Sequence, residues 1–256
     1  MLRNTRFGDL LAKRKPIWAY ELGGRVTSSL FGANRPIVTV GAPGKAYGKY
    51  GQCASFAGSA DAYTLSPFLV KRGISFGVRF RYTATTASMT LLDFPLSSGG
   101  GTVIYLRVNE NATGKVGLVG TPPLFLAYSP ANGYNDGLWH SAVAVFGSNS
   151  GTANLYVDGK LVATSAGLGM SEYITDVPRI GSERWFGSNY SWFNGNIADA
   201  FCSETMLSQQ DIFLYHSDTA KQGESHDDFF VPSAASTKPW LYRRASSVSK
   251  PYLQVA

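Results

Sequence analysis

The chain has 256 residues and a net charge of +6, with 44% hydrophobic residues and only 16% charged, below the ordinary ~25%. That composition supplies one sizeable core and is unlike a disordered chain, and no apolar run approaches the ~20 residues a membrane helix needs. The opening residues carry charge but no apolar stretch of secretory length, so no signal peptide is expected, and two cysteines do not make a disulfide scaffold.

Residues 1–25 show no sustained period, although Phe7, Leu10 and Leu11 form one face of a short helix limited by Gly8 and Pro16. A strand is expected over 36–40, then a glycine-rich turn over 41–51 and a short strand through Ala54 and Phe56. Ile74, Phe76, Val78, Phe80 and Tyr82 alternate with Ser75, Gly77, Arg79 and Arg81, the pattern of a half-buried strand with both arginines on its solvated face. Residues 89–94, 103–108 and 115–119 read as further strands, and 120–135, with Pro122, Pro123 and Pro130, as a longer loop. After Asp136-Gly137 a strand sets Trp139, Val143 and Val145 on one face. Leu155, Tyr156 and Val157 then run into Asp158-Gly159, a two-residue hairpin signal, with 161–163 returning. Short strands follow at Arg179-Ile180 and over 196–203. Residues 207–213 form a short helix capped by Ser208, with Asp211 at its third position. Many short strands, few helices and turn signals every ~8–12 residues give an all-β fold, a two-sheet antiparallel sandwich.

The positive charge sits at the two ends. Arg3, Arg6, Lys13, Arg14, Lys15 and Arg25 crowd the first 25 residues, and Lys238, Arg243, Arg244 and Lys250 stand near the end with no acidic neighbour. From Ser217 onward the chain is polar and linker-like, yet it holds Phe229, Phe230, Trp240, Leu241 and Tyr242. The expected organisation is an N-terminal arm over 1–30, a sandwich over 31–216 and a C-terminal arm over 217–256. Basic and aromatic groups on those arms (Arg3, Arg6, Arg14, Trp18, Trp240, Tyr242, Arg243, Arg244) are the candidate partner-binding residues.

Candidate chemistry is sparse. His140 reads as a structural histidine, and His216 and His226 are too poorly accompanied for zinc. Asp61, Asp93, Asp136 and Asp176 stand on expected loops without a dense calcium-ligand pattern, as ordinary turn aspartates do. Between Arg184 and Phe193 the chain crowds Trp185, Phe186, Tyr190 and Trp192; Trp185, Tyr190 and Trp192 are the candidate glycan-stacking residues. The basic ends lack a regular aromatic platform for nucleic acid. No cofactor or metal is expected, and Cys53 and Cys202 are left open between a bridge and two reduced thiols.

The succession Asp136-Gly137-Leu138-Trp139-His140, Leu155-Tyr156-Val157-Asp158-Gly159, Ile180-Gly181-Ser182, 193–199 and 206–212 resembles the laminin-G-like, concanavalin-A-like jelly rolls. The resemblance spans about 45–216 and implies two curved antiparallel sheets with rim loops available for binding. The glucanase branch of that family carries its carboxylates as Glu-x-Asp-x-x-Glu; Glu110, Glu172, Glu183 and Glu204 stand alone here, so no enzyme is expected. The layout of one such domain with basic aromatic ends looks like structural proteins of tailed bacteriophages, capsid decoration or neck and tail components. It implies a non-enzymatic virion protein present in many copies or as a homo-oligomer, fastened by its arms to other virion proteins. The alternative is a carbohydrate-binding module that recognises a host surface glycan through the rim aromatics.

Overall fold

In the computed structural model, residues 5–23, 30, 35–85, 87–95, 103–121, 125–130, 132–147, 151–166, 172–185 and 188–218 are described. The elements run α1 (Arg6–Lys13), β1 (Pro16–Glu21), β2 (Ile37–Val40), β3 (Gly44–Gly48), β4 (Gly51–Ala57), β5 (Ala62–Leu65), β6 (Leu69–Val70), β7 (Ser75–Arg81), β8 (Met89–Pro95) and β9 (Val103–Val108). A turn of 3-10 helix at Glu110–Ala112 leads to β10 (Val116–Thr121), β11 (Phe125–Tyr128), β12 (His140–Phe146), β13 (Ala153–Val157), β14 (Lys160–Ser165) and β15 (Tyr173–Ile174). The chain closes with β16 (Arg179–Ile180), β17 (Glu183–Trp185), β18 (Ser188–Tyr190), β19 (Asn194–Ser203) and α2 (Gln209–Ser217).

Two large antiparallel sheets make the sandwich. One has the order β14-β13-β12-β7-β19-β4-β3, with β1 also paired to β19; the other is β11-β10-β9-β8-β16-β5-β2. Alternation places Phe76, Val78, Phe80, Ala142, Ala144 and Phe146 inward from the first sheet, against Leu92, Phe94, Ile104, Leu106 and Ile180 from the second. The all-β, two-sheet reading of the sequence holds. So does the hairpin at Asp158-Gly159: Val157 pairs with Lys160, and both turn residues have positive φ (51° and 76°), as a type I′ turn requires.

The first sheet carries a third layer. Phe7 and Leu11 of α1 and Ile212 and Tyr215 of α2 pack on Val143, Val145, Tyr156 and Phe201, the outward-facing partners of the core residues. Helix α2 starts on the expected cap, and α1 on one that the sequence did not single out. The Thr5 side chain accepts the Gly8 amide, and Ser208 and Asp211 form a capping box.

This layer overturns the expectation of a free N-terminal arm. Strand β4 pairs with β19 only from Asn194 to Ile197, and β1 takes over the same edge from Asp199 to Ser203. Trp18 and Tyr20 point into the core and Ala19 lies beneath α1. The strand is then locked from above: the Phe7 amide donates to Asp218 at 2.6 Å, and Ser203 and Thr205 hydroxyls donate to the Arg14 carbonyl. Trp18, a candidate partner-binding residue, is fully buried against Phe68 and Phe94 and cannot reach a partner. The glycine-rich turn expected over 41–51 contains β3, and the loop expected over 120–135 contains β11.

Candidate functional site

The two helices cover one sheet; the outer face of the seven-stranded sheet holds a polar and aromatic cluster. Register brings Thr90, Arg107, Gly117 and Tyr128 into one row, and Arg179, Asp93, Tyr105, Val119 and Leu126 into the next. Arg107 is the hub. Its guanidinium lies 4.7 Å over the Tyr105 ring, bonds Glu110 at 2.8 Å and reaches Glu183 at 3.4 Å, and its charge opposes the burial that raises the Tyr128 pKa. Its Nε–H is buried without a partner among the described residues. Thr90 faces Glu183 at 3.5 Å, and Ser88 donates to Glu110 at 3.2 Å.

Gly117 makes this arrangement possible. A Cβ there would stand 2.5 Å from the Tyr128 ring, so only glycine lets that ring lean across β10 toward Arg107. Burial pushes the Tyr105 phenol up to about 12 against the opposing pull of Arg107, and burial raises Tyr128 as well. Both phenols are therefore neutral hydroxyls, donors and acceptors at physiological pH.

Glu183 also opens the β17–β18 hairpin, so its carboxylate ties that hairpin to Arg107. The Ser191 carbonyl accepts the Thr90 amide at 2.8 Å, which pins the far end of the hairpin to β8. The aromatic segment picked out in the sequence thus adjoins the arginine cluster. Trp192 is partly buried; the side chains of Trp185 and Tyr190 lie outside the described set. Arg107 and Glu110 stand three residues apart, but nothing in the sequence marks Glu183 as their partner, because it joins them only in the folded sheet.

A second titratable cluster sits at the β13–β14 turn. His140 lies between Asp158 (Nδ1, 2.8 Å) and Asp136 (Nε2, 3.1 Å). Both ring nitrogens face carboxylates, which calls for two N–H donors and hence an imidazolium. Burial opposes that charge, but the hydrogen bonds and charges of Asp158 and Asp136 outweigh it and hold the pKa above the ordinary value. Asp158 is correspondingly held low by His140 and the Ser141 amide, against the effect of burial. Ser141 and His216 join from 75 residues apart, a grouping invisible in the sequence. It is no catalytic triad. Ser141 Oγ (3.1 Å) and Asp158 Oδ1 (3.5 Å) both approach His216 Nδ1, whereas a relay needs them on opposite ring nitrogens. Ser141 is also buried.

The remaining candidates fall as follows. Arg79, expected on a solvated face, is fully buried beneath α2: it pairs with Asp199 at 3.5 Å, donates to the Tyr215 carbonyl at 2.7 Å and is flanked by the Tyr50 and Tyr215 rings. Asp199 in turn accepts the Tyr215 hydroxyl at 2.6 Å. Arg81 donates to Asn196 and stacks on Trp139. Arg14 pairs with Asp211 of its own chain at 3.3 Å, while Arg6 is exposed. Arg3, Trp240, Tyr242, Arg243 and Arg244 lie outside the described residues. Asp61 accepts the Ala42 and Ala57 amides and Asp136 the Leu138 amide, as turn builders do; Asp93 belongs to β8, not to a loop. Among the described residues no group of three or more acidic, His or Cys side chains is placed to hold a metal. Cys53 and Cys202 are free and buried, and burial pushes both thiols up.

With this geometry in place, comparison with known proteins sets the family. Residues 57–213, more than half of the chain, match the family described as the concanavalin A-like lectin/glucanases superfamily, and the chain belongs to it. No curated protein matches. Among solved structures, the chain is similar to domain 4 of AbnA, an extracellular arabinanase from Geobacillus stearothermophilus. Identity is 18% and the TM-score 0.61, over 78% of this chain and 97% of that one. It is also similar to the botulinum neurotoxin serotype D binding domain, at 12% identity and a TM-score of 0.62, over 82% of this chain and about half (52%) of that one. At these identities the likeness is one of fold.

Proposed function

We propose that this protein is a non-catalytic carbohydrate-binding module, and that the outer face of the seven-stranded sheet, beside the β17–β18 hairpin, holds the sugar. The observation that carries the reading is the Arg107 cluster. It offers an aromatic ring, a guanidinium, carboxylates and two neutral phenols on one face, the mixture of apolar surface and directed polar groups that sugar recognition uses. The family supports it, as do the two structural neighbours: one was solved with arabinotriose and the other is named a binding domain. Arginine engages both Glu110 and Glu183, which leaves neither poised as a free acid or nucleophile.

A phage structural role was the first expectation from the sequence. It depended on two free arms, and residues 6–21 are instead part of the sandwich and its covering layer. The carbohydrate reading needs no arm. A glycan array probed with the intact protein, Arg107→Ala and Trp192→Ala tests it. Binding that is lost in Arg107→Ala supports the reading; absence of binding by the intact protein to any glycan overturns it.

A further inference from the structure

We infer that the sugar held on this face is neutral, recognised through its hydroxyl groups, and that carboxylated or sulfated glycans are excluded; this rests on the carbohydrate reading above. An acidic sugar is captured by a cation with donors to spare. Here the guanidinium of Arg107 is already committed to Glu110 at 2.8 Å and to Glu183 at 3.4 Å. One positive and two negative groups leave this cluster with a net charge of −1. The other described arginine of the face, Arg179, stands in register with the carboxylate-bearing Asp93. A sugar carboxylate or sulfate would meet two like charges, and the one unpartnered N–H of Arg107, at Nε, is buried away from it. A neutral hydroxyl meets the reverse: carboxylate oxygens accept its hydrogen bond, and the half-buried Tyr128 phenol donates or accepts. The half-buried Tyr128 ring, which leans across β10 above the buried Tyr105, supplies the apolar contact for a pyranose or furanose face.

The two carboxylates therefore act as a filter as well as a set of acceptors. Neutralising one of them brings the cluster to a net charge of zero and removes the site's preference. Glu110 is the better target, because its side chain is partly exposed at the end of β9 and its loss leaves the strand pairing intact.

The test is a direct comparison of matched neutral and acidic oligosaccharides (each with and without a terminal sialic acid, a uronic acid or a sulfate) by array and then by calorimetry. The intact protein is expected to bind neutral members and to bind acidic partners at least about tenfold more weakly. Glu110→Gln is expected to gain roughly tenfold for the acidic members, the worth of one hydrogen bond to a charged group, with its far-UV spectrum unchanged. Equal or tighter binding of acidic glycans by the intact protein overturns the inference and leaves the carbohydrate reading standing. Neutral binding that survives Arg107→Ala places the sugar elsewhere and also overturns it. Binding to no glycan of either kind removes both. If Glu110→Gln fails to fold, the comparison on the intact protein alone decides.

Discussion

Replacing Trp18 by alanine tests whether the N-terminal segment is part of the folded body. The indole is fully buried, with the Tyr20 ring 5.5 Å away and the Phe68 and Phe94 rings each 6.2 Å away, so truncation opens a cavity between the sheets. Losses of this kind cost about 3–5 kcal/mol. For a domain of this size that is roughly a 6–20 °C fall in Tm, at about 2–4 °C per kcal/mol. Trp18→Phe is expected to cost much less, because it keeps most of the ring contact and removes an indole N–H that is buried without a partner among the described residues. Urea unfolding followed by far-UV circular dichroism measures both. Trp18→Ala should lower the midpoint with little change in slope. A midpoint within about 0.5 kcal/mol of the parent would refute the reasoning, since a residue on a loose arm costs no more than a surface substitution.

Other expectations follow from the same contacts. His140 has a folded pKa above its ordinary value of 6.5, so its contribution to stability is complete below pH ~6.5 and is lost as pH rises through the folded pKa. The stability difference between the parent and His140→Gln should therefore shrink as pH is raised from 6 to 9; a difference that grows would contradict the imidazolium assignment. Gly117→Ala should cost about 1–3 kcal/mol in urea unfolding and weaken glycan binding, because its Cβ displaces the Tyr128 ring. Both thiols should stay unreactive toward a disulfide reagent until the chain unfolds, and two equivalents should then react, since Cys53 and Cys202 are buried and free.

Much of the sandwich was legible in the sequence, and the failures have physical causes. The alternation from Ile74 to Tyr82 located β7, and Asp158-Gly159 fixed the β13–β14 hairpin. The capping pattern at Ser208 and Asp211 located α2. Strand β1 escaped notice because it is buried on both faces: Trp18 and Tyr20 point to the core while Ala19 meets α1, so no polar alternation marks it. The same covering layer explains Arg79. Period two correctly assigned it to the outer face, but that face is roofed by helices whose sequences lie far away, and the charge is held by Asp199 and two tyrosine rings. The site was half visible. The aromatic run at 184–193 drew attention to the right hairpin, whereas Tyr128 reaches Arg107 only through the β9-β10-β11 register and Glu183 only in the folded sheet.

The most direct measurement is a crystal structure of the protein with the tightest-binding neutral oligosaccharide from the array. The expected result is a sugar ring seated on the Tyr105–Arg107–Tyr128 face beside the β17–β18 hairpin, with hydroxyls within hydrogen-bond distance of Glu110 or Glu183. A ligand bound instead over α1 and α2, or at the His140 cluster, would contradict the placement of the site and with it the assigned role of Arg107.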